Sequence, residues 1–396
     1  MATTKRILAL DVLRGITIAG MILVNNPGSW SYIYAPLRHA EWNGCTPTDL
    51  VFPFFMFCMG VAMYISYSKS NFALTKTNVW HAVYRGGLII LIGWALSWFG
   101  IFLRHICAGD GLVYSLFQYP WTHLRYLGVF PRLGIVSGVV ALLLLVCKPK
   151  NVPWLIALFL VAYCVLISLT HSFDLTPDNI LARVDLAVLG DEHMYHKTAI
   201  INGEATRIAF DPEGLLSTIP CFAHCLVGVL VGKILKSEAS NWDKMARVLR
   251  FGSIILLTGF LLDYAYPINK SMWSASYVLV TCGLASLVLG ILIWLIDIRD
   301  AEKSTTMDFR WYNFFESFGV NPLFIFCLSA ILVTVMAVIK FDVAGKTYSL
   351  WGAWYHVCMV PLFGQTGGSL ACALSLVLVM WCIAYPLYKK KIYIKI

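Results

Sequence analysis

The sequence predicts an all-α polytopic membrane protein with about ten transmembrane helices. Of its 396 residues, 59% are hydrophobic and only 13% charged, whereas a soluble domain carries about a quarter charged residues. Apolar runs of about 20 residues, long enough to cross a bilayer core, recur from one end to the other. Lys and Arg gather in the segments between alternate runs, the pattern that fixes membrane topology. Residues 1–396 therefore read as a single transmembrane domain.

Taken in order, the predicted spans are 7–25, 48–68, 81–103, 126–147, 153–170, 215–234, 249–266, 275–298, 320–340 and 368–388. The first follows a basic start, Met1–Arg6, as a signal peptide would. It is nevertheless a full span long, contains Asp11 and Arg14 and lacks a small-residue cleavage site, so it reads as a retained helix. Residues 351–363, WGAWYHVCMVPLF, are too short and too rich in interfacial aromatics to cross, and are expected to lie on or dip into the membrane.

Charge sets the predicted orientation. One side holds eighteen basic residues: Lys5, Arg6, Lys69, Lys76, Lys148, Lys150, Lys233, Lys236, Lys244, Arg247, Arg250, Arg299, Lys303, Arg310, Lys389, Lys390, Lys391 and Lys395. The other holds eight: Arg38, Arg104, Arg183, Lys197, Arg207, Lys270, Lys340 and Lys346. Both termini are thus expected in the cytoplasm. The long loops 26–47, 104–125, 171–214, 267–274 and 341–367 fall on the opposite face.

The net charge of +9 is spread over short loops rather than one patch, which argues against nucleic acid as a partner. Most of the twelve cysteines lie inside apolar runs (Cys58, Cys147, Cys164, Cys282, Cys327, Cys372, Cys382), where a thiol behaves as a small hydrophobe. Cys221, His224 and Cys225 fall within about one helical turn and could hold a metal, but a helix start with buried thiols explains them better, and no metal is expected. No internal repeat is visible, so the inverted-repeat signature of many transporters is missing.

The densest chemistry lies in RHAEWNGCTPTDLVFPFFMF, residues 38–57. His39 is the titratable candidate, since a neutral imidazole takes up a proton and returns it. Either Glu41 or Asp49 could orient it. Asn25 and Asn26 close the first span, where an amide can donate to a developing oxyanion. Arg14, Arg85, Arg125 and Arg132 sit at membrane depth or its edge. Asp11 and Arg14, at i and i+3, can pair. The other three have no sequence-local partner and suit a buried anion such as a phosphate group. In the 171–214 loop and beyond, Asp185, His193, Tyr195, Asp211 and Glu213 make an acidic, aromatic surface suited to a cationic sugar. Asp211-Pro212-Glu213-Gly214 also reads as a helix start.

LDVLRGITIAGMILVNNPG (10–28), followed by HAEWNGCTPTDLVFPFFMFCMG (39–60), resembles the membrane core of the heparan-α-glucosaminide N-acetyltransferase family and its bacterial relatives. DPEGLLSTIP (211–220), PINKSMWSASYVL (267–279) and YKKKIYIKI (388–396) agree, so the resemblance runs along the whole chain. It implies a single transmembrane acyltransferase domain that passes an acetyl group from cytosolic acetyl-CoA to a glucosamine-type amine across the bilayer. By position in the motif, the family's active histidine falls on His39 and its asparagine on Asn25. Glu41, Trp42, Asn43, Asp185, His193, Asp211 and Glu213 are then expected at the acceptor, and Arg14, Arg85 and Arg132 at the phosphates of acetyl-CoA. Two departures stand out. The chain starts directly at the core motif, without the luminal domain and leading helix of the lysosomal enzymes. The glycine-rich run after the asparagine is reduced to Asn26-Pro27-Gly28-Ser29. Both point to a bacterial amino sugar or glycan as acceptor, and to a bacterial inner membrane, with a homodimer left open. The competing readings are an amino-sugar transporter or permease and an O-acetyltransferase of envelope glycans.

Overall fold

In a bilayer every backbone polar group must be satisfied within the chain, so an apolar sequence of this kind resolves into helices. The computed structural model describes residues 7–201, 204–299, 310–343 and 345–394. Lys5, Arg6, Lys303 and Lys395 of the charge comparison lie outside them.

The helices are α1 (Leu8–Asn25), α2 (Val51–Tyr67), α3 (Lys76–Ala108), α4 (Val129–Cys147), α5 (Val152–Leu169), the short α6 (Ile180–Leu189), α7 (Ile219–Lys236), α8 (Asn241–Asp263), α9 (Ala275–Leu292), α10 (Trp311–Val320), α11 (Pro322–Val338) and α12 (Val360–Lys389). Among the described residues, nine segments are long and apolar enough to cross a membrane, and α10 with α11, bent by 85°, makes a tenth. The protein is an all-α polytopic membrane protein, and the predicted count of about ten holds.

Local chemistry sets the helix starts. Thr75, Ser240 and Ser274 each accept a backbone N–H from the first turn of α3, α8 and α9. The first turn of α1 has no such residue of its own. Asp297, just beyond α9, supplies the cap by accepting Leu8 N and Ala9 N at 3.2 Å each. Polar starts therefore anchor apolar cylinders at both membrane faces.

The bundle has an inner and an outer layer. α1 and α7 bury 67% and 72% of their most apolar stretch inside the protein, whereas α3 and α8 bury 17%. The outer helices offer residues such as Leu91, Ile254 and Leu257 to lipid. Pairs run α1 with α10, α2 with α7, α3 with α4 and α8 with α9. The closest crossings depend on glycine. A Cβ on Gly15 would lie 1.7 Å from the Phe315 carbonyl oxygen, and one on Gly60 2.0 Å from that of Cys225. Backbones this close gain the van der Waals contact that drives helix association in lipid.

Two regions differ from the sequence reading. The predicted span 320–340 breaks at Asn321, and α10, which the hydrophobic pattern left in a loop, crosses α1. The aromatic stretch 351–363 does not stand apart from the last span. It passes through a π-helical turn, Trp354–Met359, into α12, with the joint at Gly364 (φ 70°). At 1.5 Å per residue, the 40 residues Leu350–Lys389 would measure about 60 Å, twice a bilayer core, so a bend is required.

The long loops meet at one end. Gly44 bridges to Asn269, and the Trp42 indole donates to Phe173 O at 2.9 Å. Arg125 pairs with Asp211 and Glu213, and Gly28 N donates to Ser369 O at 3.1 Å. The 171–214 loop contains α6 and an antiparallel hairpin of β1 (His196–Ile201) and β2 (Glu204–Ala209). A second hairpin, β3 (Lys340–Val343) with β4 (Lys346–Ser349), precedes the last helix.

Candidate active site

The knot at 38–50 is organised by one carboxylate. Asp49 is fully buried, in a capping box opened by Thr46 with Pro47 behind it. Its Oδ2 accepts Ala40 N at 3.0 Å and Thr46 N at 3.1 Å. Its Oδ1 lies 2.6 Å from His39 Nδ1 and 3.3 Å from Lys270 Nζ. Lys270 Nζ is also 3.0 Å from the same ring nitrogen. A single nitrogen cannot both donate to Asp49 and accept from Lys270. Because a carboxylate only accepts, and this contact is the shorter, Nδ1–H donates to Asp49 and Lys270 pairs with the acid. Nε2 is then left as the basic nitrogen on a ring that is 43% exposed.

His39 opens onto a cavity of about 780 Å³ whose wall includes Glu41, Trp42, Asp49, Arg125, Tyr195, Lys197, Glu213, Lys270, Ser271 and Trp273. Trp42 is fixed edge-on against Phe210 at 5.3 Å and by its bond to Phe173 O. Lys197 Nζ lies 5.0 Å from the Trp42 ring and donates to Ser271 Oγ at 2.8 Å. Burial pushes the Lys197 ammonium down to about 8, against the pull of Asp49 and with a further push from Lys270. The 267–274 turn that carries Lys270 and Ser271 is itself tied down. Asn269 Oδ1 accepts Met272 N at 2.9 Å, and Asn269 Nδ2 donates to Asn43 Oδ1 at 3.1 Å.

The expected acceptor residues divide. His39, Glu41, Trp42 and Glu213 line the cavity. Asn43 lies behind it as the partner of Asn269. Asp211 is buried and holds Arg125 Nε at 2.9 Å and Tyr195 N at 3.1 Å. Glu213 joins it on Arg125 at 2.6 Å. Burial opposes the charge on Arg125, but Glu213 and Asp211 outweigh it and hold the guanidinium above its usual range. His193 bonds Leu124 O at 2.8 Å and stacks on Tyr126. Asp185 is buried under Gly214, accepts Leu215 N at 2.8 Å and is pushed up to about 7 by burial. Asp185 and Asp211 thus brace the 211–218 turn, and the acidic surface read from the sequence is largely spent on internal partners.

Asn25 ends α1 with its side chain exposed and is not part of the cavity wall. The arginines also separate. Arg132 is fully buried beneath the cavity, bonded to Ser217 Oγ and Gly214 O with its guanidinium 5.3 Å from the Trp273 ring. Arg14 pairs with Asp11 at 2.5 Å and keeps Nε without a partner. Arg85 interacts electrostatically with Tyr67 and Arg14. Six residues into α1 and nine into α3, Arg14 and Arg85 lie about 9 and 13 Å from their helix starts. At 221–225, Cys221 Sγ donates to Ser217 O and His224 Nε2 bonds Pro53 O at 2.8 Å.

Sequence reasoning missed Lys197 and Lys270, which it counted only as loop charge. For Lys197 a signal existed: HKTAI-INGEATRI contains Asn-Gly between two short alternating runs, a strong hairpin cue.

No family model matches the chain. Human heparan-alpha-glucosaminide N-acetyltransferase is 28% identical to it over 361 residues, covering 79% of this chain and 52% of the human protein. The mouse protein of the same name is 27% identical over 361 residues with the same coverage. The chain therefore spans about half the length of the curated relatives it matches. Over most of its own length the chain is thus similar in sequence to the heparan-alpha-glucosaminide N-acetyltransferases.

Proposed function

We propose that the protein is a transmembrane N-acetyltransferase that moves an acetyl group from cytosolic acetyl-CoA to the amine of a glucosamine-type sugar on the non-cytoplasmic side. The observation that carries this reading is the His39–Asp49 pair at the mouth of a cavity large enough for a sugar. An amine attacking a thioester must shed a proton, and Nε2 of an imidazole whose Nδ1–H is held by a buried carboxylate is placed to take it. The proton then passes to the departing thiolate, so His39 acts as base and then as acid. A base is favoured over an acyl-histidine because the ring is open to water, where an acyl-imidazole would hydrolyse.

Trp42 supplies an apolar face for the sugar ring, and Glu41 a carboxylate for its ammonium. The donor would enter from the end where α1 and α3 begin. Arg85 carries no ion pair among the described residues, and Arg14 has a guanidinium nitrogen to spare, so both fit phosphate oxygens. Arg132 belongs to the cavity floor in this reading. Asn25, at the far end of α1, would contact the donor arm as it arrives. Both termini are assigned to the cytoplasm on the basic-residue bias. A bacterial inner membrane is the setting inferred from the shortened Asn26–Ser29 turn.

The test is to incubate purified protein with labelled acetyl-CoA and a panel of amino sugars and to identify the product. An amide on the sugar amine supports the reading, with His39→Ala abolishing transfer while acetyl-CoA still binds. An ester product would make it an O-acetyltransferase, and sugar uptake without acetylation a permease.

A further inference from the structure

Resting on that reading, we infer that Lys197 and Ser271 together form the oxyanion site of the acetyl-transfer cavity. Among the described residues, the cations of the cavity wall are paired off with one exception. Lys270 sits on Asp49 and Arg125 on Asp211 and Glu213. Lys197 lines the same wall and has no carboxylate in ion-pair range among the described residues. Its one hydrogen bond among the described residues runs to Ser271 Oγ at 2.8 Å, which leaves two N–H donors unused there. Ser271 is 8% exposed, accepts that bond, and finds no acceptor for its own hydroxyl hydrogen among the described residues. Adjacent donors, one of them cationic, therefore face a cavity whose carboxylates are largely engaged elsewhere.

A tetrahedral acyl-transfer intermediate supplies the missing acceptor. The acceptor amine forms an N–C bond to the carbonyl carbon of the acetyl thioester, and the C=O π pair moves onto oxygen. His39 Nε2 takes the amine proton. When the pair returns, the C–S bond breaks and the thiolate takes the proton from His39. The negative charge exists only between these two events, so donors held ready for it stabilise the transition state more than the ground state. Lys270 and Ser271 are neighbours in the chain, which places the oxyanion donors beside the residue that contacts His39. Asn25, the amide that ends α1, is absent from the cavity wall.

Rigidity supports the assignment. Ser271 lies in the turn clamped by Asn269, and Lys197 is carried on a paired strand and rests against Trp42. Burial also brings the ammonium down to about 8. The cation is lost as pH rises through that value, so an oxyanion site built on it loses rate on the alkaline side.

The experiment measures kcat and KM for acetyl transfer to methyl glucosaminide from pH 6 to 10 in the full-length protein and three variants. Lys197→Met is expected to lower kcat by about 10²–10³-fold with both KM values within about threefold. Lys197→Arg should restore much of kcat and remove the alkaline limb near pH 8, because a guanidinium stays protonated throughout. Ser271→Ala should cost about tenfold. Unaltered thermal midpoint and acetyl-CoA affinity certify the fold of each variant. A folded Lys197→Met protein that keeps kcat, or raises only the acceptor KM, overturns the oxyanion assignment while leaving acetyl transfer by the parent intact. An alkaline limb that persists in Lys197→Arg overturns it as well. A parent protein without turnover on any amino sugar overturns the function and this inference together.

Discussion

Replacing Asp49 by Asn isolates the electrostatic core of the site. Alanine would be too blunt. It would strand the N–H groups of Ala40 and Thr46, at about 1–3 kcal/mol each, and remove the partner of Lys270. Asparagine has the same shape, and its amide oxygen can stay on those two N–H groups while its NH2 turns toward His39. The ring must then accept at Nδ1, which moves its proton to Nε2 and removes the base. The wrong tautomer on an otherwise intact dyad should cost about 10²–10⁴-fold in kcat. At 1.36 kcal/mol per decade this is about 3–5 kcal/mol of barrier. Initial rates with labelled acetyl-CoA in lipid nanodiscs, with acetyl-CoA affinity and thermal midpoint as controls, would measure it. If a folded Asp49→Asn protein keeps more than a third of parental kcat, the carboxylate does not set the tautomer and the mechanism fails at its first step.

Arg85→Ala should weaken acetyl-CoA binding by about ten- to hundredfold, the worth of a charge-assisted contact of about 1.5–3 kcal/mol, with the acceptor KM unchanged; equal affinity by calorimetry would return Arg85 to a packing role. Asp185, pushed up to about 7 by burial, should contribute stability that is full below pH 4 and lost as pH rises through 7, since the buried side chain resists ionising. The ceiling on that contribution is about 4 kcal/mol. Asp185→Asn should flatten that pH dependence in thermal-shift measurements, and an unchanged slope between pH 4 and 7 would assign it to other groups.

The bundle was legible because lipid imposes a single rule on every span, so length and apolarity sufficed. α10 escaped because it is only ten residues long and carries Asn313, Glu316 and Ser317, and its glycine-mediated crossing of α1 and its packing against α12 make it part of the bundle. His39, Glu41 and Trp42 could be read because they are contiguous with a long motif. Asp49 was one of two possible partners for the ring, and the capping box of the turn Pro47–Leu50 ahead of α2 decides between them, since its geometry fixes the carboxylate beneath His39. The acidic cluster misled for a physical reason. Composition reports charge but not pairing, and Arg125 and the 211–218 turn consume Asp211, Glu213 and Asp185. Lys197 and Lys270 reach the cavity through a hairpin and a turn from distant segments, a proximity that no local pattern encodes.

Two-sided proteoliposomes offer the most direct test of transmembrane transfer. Vesicles carrying the oriented protein would hold glucosamine on the side of the 26–47 and 171–214 loops and labelled acetyl-CoA on the side of Lys390, with no path for either to mix. N-acetylglucosamine should accumulate in the glucosamine compartment while CoA is released in the other, and His39→Ala vesicles should form none. Product that forms only when both substrates share one compartment, or that forms equally with His39→Ala, would contradict transfer across the membrane through this cavity.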